Sequence, residues 1–254
     1  MNAKFSPPFK TFDEPTNQLK NHGYAVLNPN QTCTLLGGSE AVFSPWLPSW
    51  NDLPPDAYLK DGGRYRRRRH SCFTVNIDLK SNQVTHTPHR AHWQPLEYNA
   101  LHGGMQRLFE PMASNLVQSS AWTSMLCKLG QLCTDLKPET TTWFVEAHQF
   151  RIDTTDGIGR PTPEGAHRDG VDFVAVMLVS RHGIKGGETR VFDIDGPAGQ
   201  RFTMTEPWTL LLLDDARVIH ESTPIQPVQI DGEVGYRDTL VLTFRAEAFQ
   251  GESV

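Results

Sequence analysis

The spacing of apolar and polar positions divides the chain into two halves of different style. In the first, residues 13–22 read as a short helix ended by Gly23, and Tyr24 to Leu27 read as a strand. Residues 44–55 are rich in Pro and Trp and read as an ordered loop. Leu101, Met105, Leu108 and Met112 recur at helical spacing, and Trp122, Met125, Leu126, Leu129 and Leu132 repeat the pattern. Residues 97–136 therefore predict two helices, with a break near 114–120.

The second half is a series of short apolar runs. Residues 143–152, 171–180, 189–194, 209–213, 217–222 and 239–244 have strand propensity, and Gly/Asp turn signals such as HGIKGGE and DIDGPAG separate them. Short strands between tight turns predict a β-barrel or jelly roll over residues 141–250. The expected class is mainly β with α. Residues 1–140 form a mixed α/β elaboration whose helices brace the barrel, within one domain spanning 1–254. No internal repeat occurs.

Composition narrows the function classes. The 254 residues suit one elaborated domain, and 38% hydrophobic with 21% charged residues describes neither a disordered chain nor a membrane protein. No apolar run approaches the roughly 20 residues that span a bilayer. Residues 1–10 lack the apolar stretch of a secretion signal, which leaves the cytoplasm as the expected compartment. A net charge of −5 argues against a nucleic-acid binder. The four cysteines, Cys33, Cys72, Cys127 and Cys133, have no zinc-like spacing and read as reduced, mostly buried thiols.

The chemistry concentrates in PTPEGAHRDGVDF. In extended backbone, residues i and i+2 share a face, so the His167 imidazole and the Asp169 carboxylate can reach one ion. His220, after a later apolar strand, supplies a second imidazole. Two histidines and one carboxylate form a facial triad that suits Fe(II) and leaves coordination positions open. A lone His-x-Asp is weak, and the other histidines (His70, His86, His89, His92, His102, His148 and His182) read as surface or satisfied core residues.

PTPEGAHRDGVDF, GGETRVFD, HESTPI and YRDTLVLTF together resemble the bacterial Fe(II)/2-oxoglutarate dioxygenase family that includes the L-isoleucine 4-hydroxylases and the BsmA-like biofilm and stress proteins. The resemblance covers roughly residues 140–246 and extends more loosely through GGRYRRRRHSCF. It implies a double-stranded β-helix, the cupin-like jelly roll, with Fe(II) on His167, Asp169 and His220. It also implies 2-oxoglutarate and O2 as co-substrates, succinate and CO2 as products, and hydroxylation of a small substrate, a free L-amino acid or a similar small acid. Related halogenases replace the carboxylate ligand with a small residue, so Asp169 favours hydroxylation. A jelly-roll ligand-binding or stress protein without turnover is the alternative. A cupin-type metalloenzyme of other chemistry would call for more site histidines and no downstream arginine.

A 2-oxoglutarate enzyme needs a cation for the distal carboxylate, and a guanidinium fork grips a carboxylate with two parallel bonds. On a strand, Arg237, Thr239, Val241, Thr243 and Arg245 share one face, opposite Leu240, Leu242 and Phe244. Arg237 is the candidate, with Thr239 beside it in an Arg-x-Thr pair similar to the Arg-x-Ser of related dioxygenases. The rivals are Arg245 in the same role, or Arg237 as a surface residue paired with Asp238 or Glu233. The run Arg64–Arg69 is a solvated face, a nucleic-acid contact, or a place where Arg66 or Arg68 binds a substrate carboxylate. Glu164 either reaches a substrate amine or caps a turn. Whether His148 and Phe150 or Gln149 and Arg151 face inward stays open. The glycines of GIKGGE suit a tight turn, not a phosphate-binding loop.

Overall fold

The computed structural model describes residues 5–10, 13–78, 81–228 and 233–251. The elements run α1 (Pro15–His22), β1 (Tyr24–Leu27), α2 (Pro29–Leu36), α3 (Glu40–Phe43), a 3₁₀ helix (Ser44–Trp50), β2 (Arg66–Asn76), β3 (Gln83–His86), α4 (Ser114–Val117) and α5 (Ser120–Leu136). The strands β4 (Thr142–Asp153), β5 (Phe173–His182), β6 (Ile184–Gly186), β7 (Thr189–Asp193), β8 (Gly199–Phe202), β9 (Leu210–Asp214), β10 (Val218–Ser222), β11 (Ile225–Pro227) and β12 (Tyr236–Arg245) follow.

The strands form a seven-stranded sheet in the order β1-β9-β5-β12-β4-β2-β3, a three-stranded sheet β10-β7-β8 and the pair β11-β6. Every pairing is antiparallel. This is the jelly roll that the turn spacing predicts, and all six predicted strands are present with ends shifted by no more than three residues. The large sheet does not stop at residue 140, because β1, β2 and β3 from the first half extend it at both edges.

The period of two along each strand divides the large sheet's faces. Phe73, Val75, Trp143, Val145, Leu240, Leu242 and Phe244 pack under Trp122, Met125, Leu126 and Leu129 of α5 in the main core. Burying this amphipathic helix stabilises by about 1.5–3 kcal/mol per large side chain. A second cluster, with Val174, Leu178, Val191, Phe202 and Leu213, lies on the other face, between the sheets.

Three expectations change. The predicted helix around Leu101 to Met112 is absent, and turns and an isolated His92–Arg107 bridge replace it. Gly103 sits where a Cβ would lie 2.4 Å from the Asn99 carbonyl oxygen, and Leu101 and Leu108 are exposed, so the helical spacing had no apolar partner to bury against. The Pro/Trp segment at 44–55 is not a loop throughout: its first part is the 3₁₀ helix, which buries Trp46 and Trp50. The Arg64–Arg69 run is not one solvated face, because β2 turns Arg66 and Arg68 inward, where they are 5% and 3% exposed. Cys33, Cys72 and Cys133 are buried free thiols, as expected, and Cys127 is half-buried. Among the described residues no helix is long and apolar enough to cross a membrane.

Candidate active site

One cavity of about 140 Å³ opens between the sheets, and nearly every predicted site residue lines it. His167 and Asp169 lie in the stretch before β5, and His220 lies on β10. His167 and His220 exchange backbone N–H···O bonds of 3.0 and 2.9 Å, which sets their rings side by side with centroids 4.7 Å apart. His167 Nε2 is 3.7 Å from Asp169 Oδ1, and His220 Nε2 is 3.8 Å from Asp169 Oδ2. These gaps are too wide for hydrogen bonds, yet one ligand atom from each residue lies within 4.8 Å of the others.

Donor chemistry fits a metal. His167 Nδ1 donates to the Gly165 carbonyl at 2.9 Å, so Nε2 is the ring nitrogen left for a metal, which would displace its proton. Burial lowers the His167 pKa, but Asp169 and Glu164 outweigh it and push it up to about 9. Asp169 is held well below the usual carboxylate range: burial opposes this, and His167 and then His220 overcome it. The surroundings thus favour positive charge at this point.

Residues that the sequence reading did not single out hold the triad. Asp215, in the turn after β9, is fully buried and accepts the backbone N–H groups of Asp169, Gly170 and Val171 at 3.0, 2.8 and 3.1 Å. Gln250 donates to the carbonyls of Asp169 and Gly170, and Gln94 donates to Asp169 Oδ1 at 3.3 Å. Gly170 needs its left-handed φ of +75°, and a Cβ there would strike the Tyr98 ring. Asp215→Ala strands three buried donors, so the loop loosens, and a metal held by the candidate triad would bind about 10- to 100-fold more weakly. Metal titration of the variant against the parent checks this.

On β12, Arg237, Thr239, Val241 and Thr243 all line the cavity, as the shared strand face predicts. Arg237 is 4% exposed, and its Nε and Nη2 have no acceptor. It pairs with neither rival carboxylate: Asp238 binds Arg151 and Ser180 on the other face, and Glu233 binds His182. Burial, and then Arg181, push the Arg237 pKa down to about 10, so it stays charged at neutral pH. Arg245 lies outside the cavity lining and donates to the Ala248 carbonyl.

Strand parity on β4 also resolves. Glu146, His148, Phe150 and Ile152 face the cavity, while Gln149 bonds Ser49 and Arg151 bonds Asp238 on the far side. Arg66, Arg68 and Glu164 line the cavity too. Glu164 Oε1 is 3.6 Å from His167 Nε2, and its buried Oε2 has no partner.

His70, His92, Glu146 and His148 form a second cluster of ligand-type groups. Its spacing is that of hydrogen bonds: Glu146 Oε2 is 2.9 Å from His70 Nε2 and 2.6 Å from His92 Nδ1. Glu146 stays ionised, because the two imidazoles outweigh its burial. The Glu146-x-His148 spacing equals that of His167-x-Asp169, the one sequence signal that pointed to it.

Burial lowers the pKa of His70, His92, His102 and His148, with His92 and His102 down to about 4. Unfolded histidine titrates near 6.5. Between those values the unfolded chain binds more protons, so stability is retained above pH 6.5 and falls as pH drops toward 4. The slope reaches about 1.4 kcal/mol per pH unit for each such histidine. Thermal melts from pH 7.5 to 4.5 should show this fall, and His102→Gln should flatten it.

The sequence matches the family described as 2OG-Fe dioxygenase over residues 47–243. The chain belongs to that family. It is a non-haem iron dioxygenase, and the family uses Fe(II), 2-oxoglutarate and O2. The structure is similar to a bsmA homolog from Methylobium petroleophilum PM1, with 52% identity, 94% of each chain covered and a TM-score of 0.88. It shares its fold with IDO from Bacillus thuringiensis, at 15% identity, 92% of this chain and 98% of that one covered, and a TM-score of 0.72. The Fe(II)/(alpha)ketoglutarate-dependent dioxygenase TqaL has the same fold, at 19% identity, 94% and 88% covered, and a TM-score of 0.69. A search of curated proteins finds no significant relative.

Proposed function

We propose that this dioxygenase hydroxylates a small substrate, a free L-amino acid, with Fe(II) held by His167, Asp169 and His220. The observation that carries this reading is the pairing of the triad with an acceptor-free guanidinium, Arg237, on the wall of one cavity. Arg237 binds the distal carboxylate of 2-oxoglutarate through its two free N–H positions, with the Thr239 hydroxyl beside it. Iron, 2-oxoglutarate and O2 together supply the oxidising power that turns a C–H bond into C–OH, with succinate and CO2 as co-products.

The chain's own residues orient and exclude. The Gly165 carbonyl sets the His167 tautomer, and Asp215 and Gln94 fix Asp169. Val171, Val176 and Val241 give the cavity apolar walls that keep bulk water from the reaction. Arg66, Arg68 and Glu164 are candidates for the substrate's polar groups. The cavity suits a small molecule and is too confined for a folded partner.

The test is succinate formation by protein loaded anaerobically with Fe(II), then given 2-oxoglutarate, ascorbate, O2 and a panel of L-amino acids. The reading expects succinate that rises with particular amino acids. Iron-loaded protein that makes no succinate above a His167→Ala control would reject it and favour a ligand-binding protein.

A further inference from the structure

The cavity wall built by β2 and β4 carries charges of both signs that the iron chemistry does not use. Glu146 is 7% exposed and lines the cavity. His70 Nε2 and His92 Nδ1 both donate to its Oε2. The third ring is oriented the same way: Arg68 donates to His148 Nδ1 at 2.7 Å, so the neutral ring carries its proton on Nε2, which lies 4.0 Å from Glu146 Oε2. Neutral donors orient a carboxylate without cancelling its charge, and no described residue hydrogen-bonds to Oε1.

Beside it stand three buried guanidiniums with too few acceptors. Asp56 bonds Arg66 at 2.7 Å and lies 3.8 Å from Arg68. Arg107 reaches only the neutral amide oxygen of Gln94, at 3.0 Å. Arg66 Nη2, Arg68 Nε and Arg107 Nε are buried without partners. Unpaired buried donors cost about 1–3 kcal/mol each unless a ligand meets them. Arg68 is held between Phe109 and Phe150, at 3.8 and 4.3 Å from the ring centroids, so its place is preset.

We infer that this wall is a zwitterion site: the Glu146 carboxylate takes an alkylammonium group, and Arg68 and Arg107 take the neighbouring carboxylate. The inference rests on the proposed hydroxylase only in making that zwitterion its substrate. It requires an α-amino acid free at both ends, and it rejects N-acylated, desamino and amide analogues. Glu164 also has a buried Oε2 without a partner, but its other oxygen stands 3.6 Å from His167 Nε2, on the side of the candidate metal ligands. Glu146 instead adjoins Arg68 through His148, so Glu146 takes the ammonium. A metal at the His70–Glu146 cluster is the competing occupant. The hydrogen-bond spacing, the donor from Arg68 to His148 and the adjacent guanidiniums disfavour it.

The test is anaerobic calorimetry on full-length protein loaded with Fe(II) and 2-oxoglutarate. L-valine, L-leucine, L-isoleucine and L-methionine are each compared with their desamino acid and their amide. The expected result is that at least one amino acid binds, with both analogues about 30-fold weaker or more. Glu146→Gln then brings the amino acid down to the desamino acid and leaves the latter's affinity in place. Equal binding of an amino acid and its desamino analogue by the parent protein overturns the inference without any variant. So does binding of none of the panel, discrimination that survives Glu146→Gln, or discrimination lost only in Glu164→Gln. A second equivalent of metal per chain that disappears in His70→Ala also overturns it. Amino-acid binding without succinate spares this site and rejects the hydroxylase.

Discussion

Asp169→Ala removes iron and 2-oxoglutarate turnover together while the protein stays folded. The carboxylate is the only anionic member of the proposed triad, and it is the first favourable influence holding positive charge at His167. Two imidazoles alone bind a divalent ion weakly, so iron retained after desalting should fall to about a tenth of an equivalent or less. Succinate formation should drop about 1000-fold, near 4 kcal/mol of barrier. The loop itself survives, because Asp215 grips its backbone N–H groups and the Asp169 side chain accepts only the long Gln94 bond. Iron analysis, succinate assay and a melting curve on one preparation check all three. Full iron content in the variant would remove Asp169 from the ligand set.

Arg237→Met raises the KM for 2-oxoglutarate about 100-fold, within the 2–5 kcal/mol that truncating a buried, hydrogen-bonded charge costs in binding. Its thermal stability should hold or rise. Arg237 has no acceptor for Nε and Nη2, so in the folded chain its buried charge is a cost that a Met of similar length removes. An arginine serving only structure would behave in the opposite way, with a lower melting temperature and an unchanged KM. Arg237→Lys should lie between, since an ammonium keeps the charge but loses the two-pronged grip.

Much of the architecture is written locally. The strand runs from Trp143 onward, the Gly/Asp turns between them and the α5 stripe each depend on short-range spacing. The same holds for His167-x-Asp169 and for the Arg237–Thr239–Val241–Thr243 face, because i and i+2 on extended backbone point one way whatever the partner. The helix expected over 97–112 shows the limit. Its apolar spacing was helical, but spacing stabilises a helix only when a surface waits for it, and Gly103 instead packs against the Leu96 and Asn99 backbone.

Composition and pattern were enough to establish a mainly β domain, to mark one segment as a candidate for metal ligation, and to point through family resemblance to Fe(II) and 2-oxoglutarate. They left open which face of β4 is inner, since Glu146, His148, Gln149 and Arg151 put polar groups on both faces, and the parity is set by how β4 lies between β2 and β12. They also missed Asp215, Gln94 and the cluster of His70 with His92 and Glu146. Those contacts join residues distant in sequence, through strand pairing and loop packing, and no periodicity within one segment encodes which distant side chain will meet it.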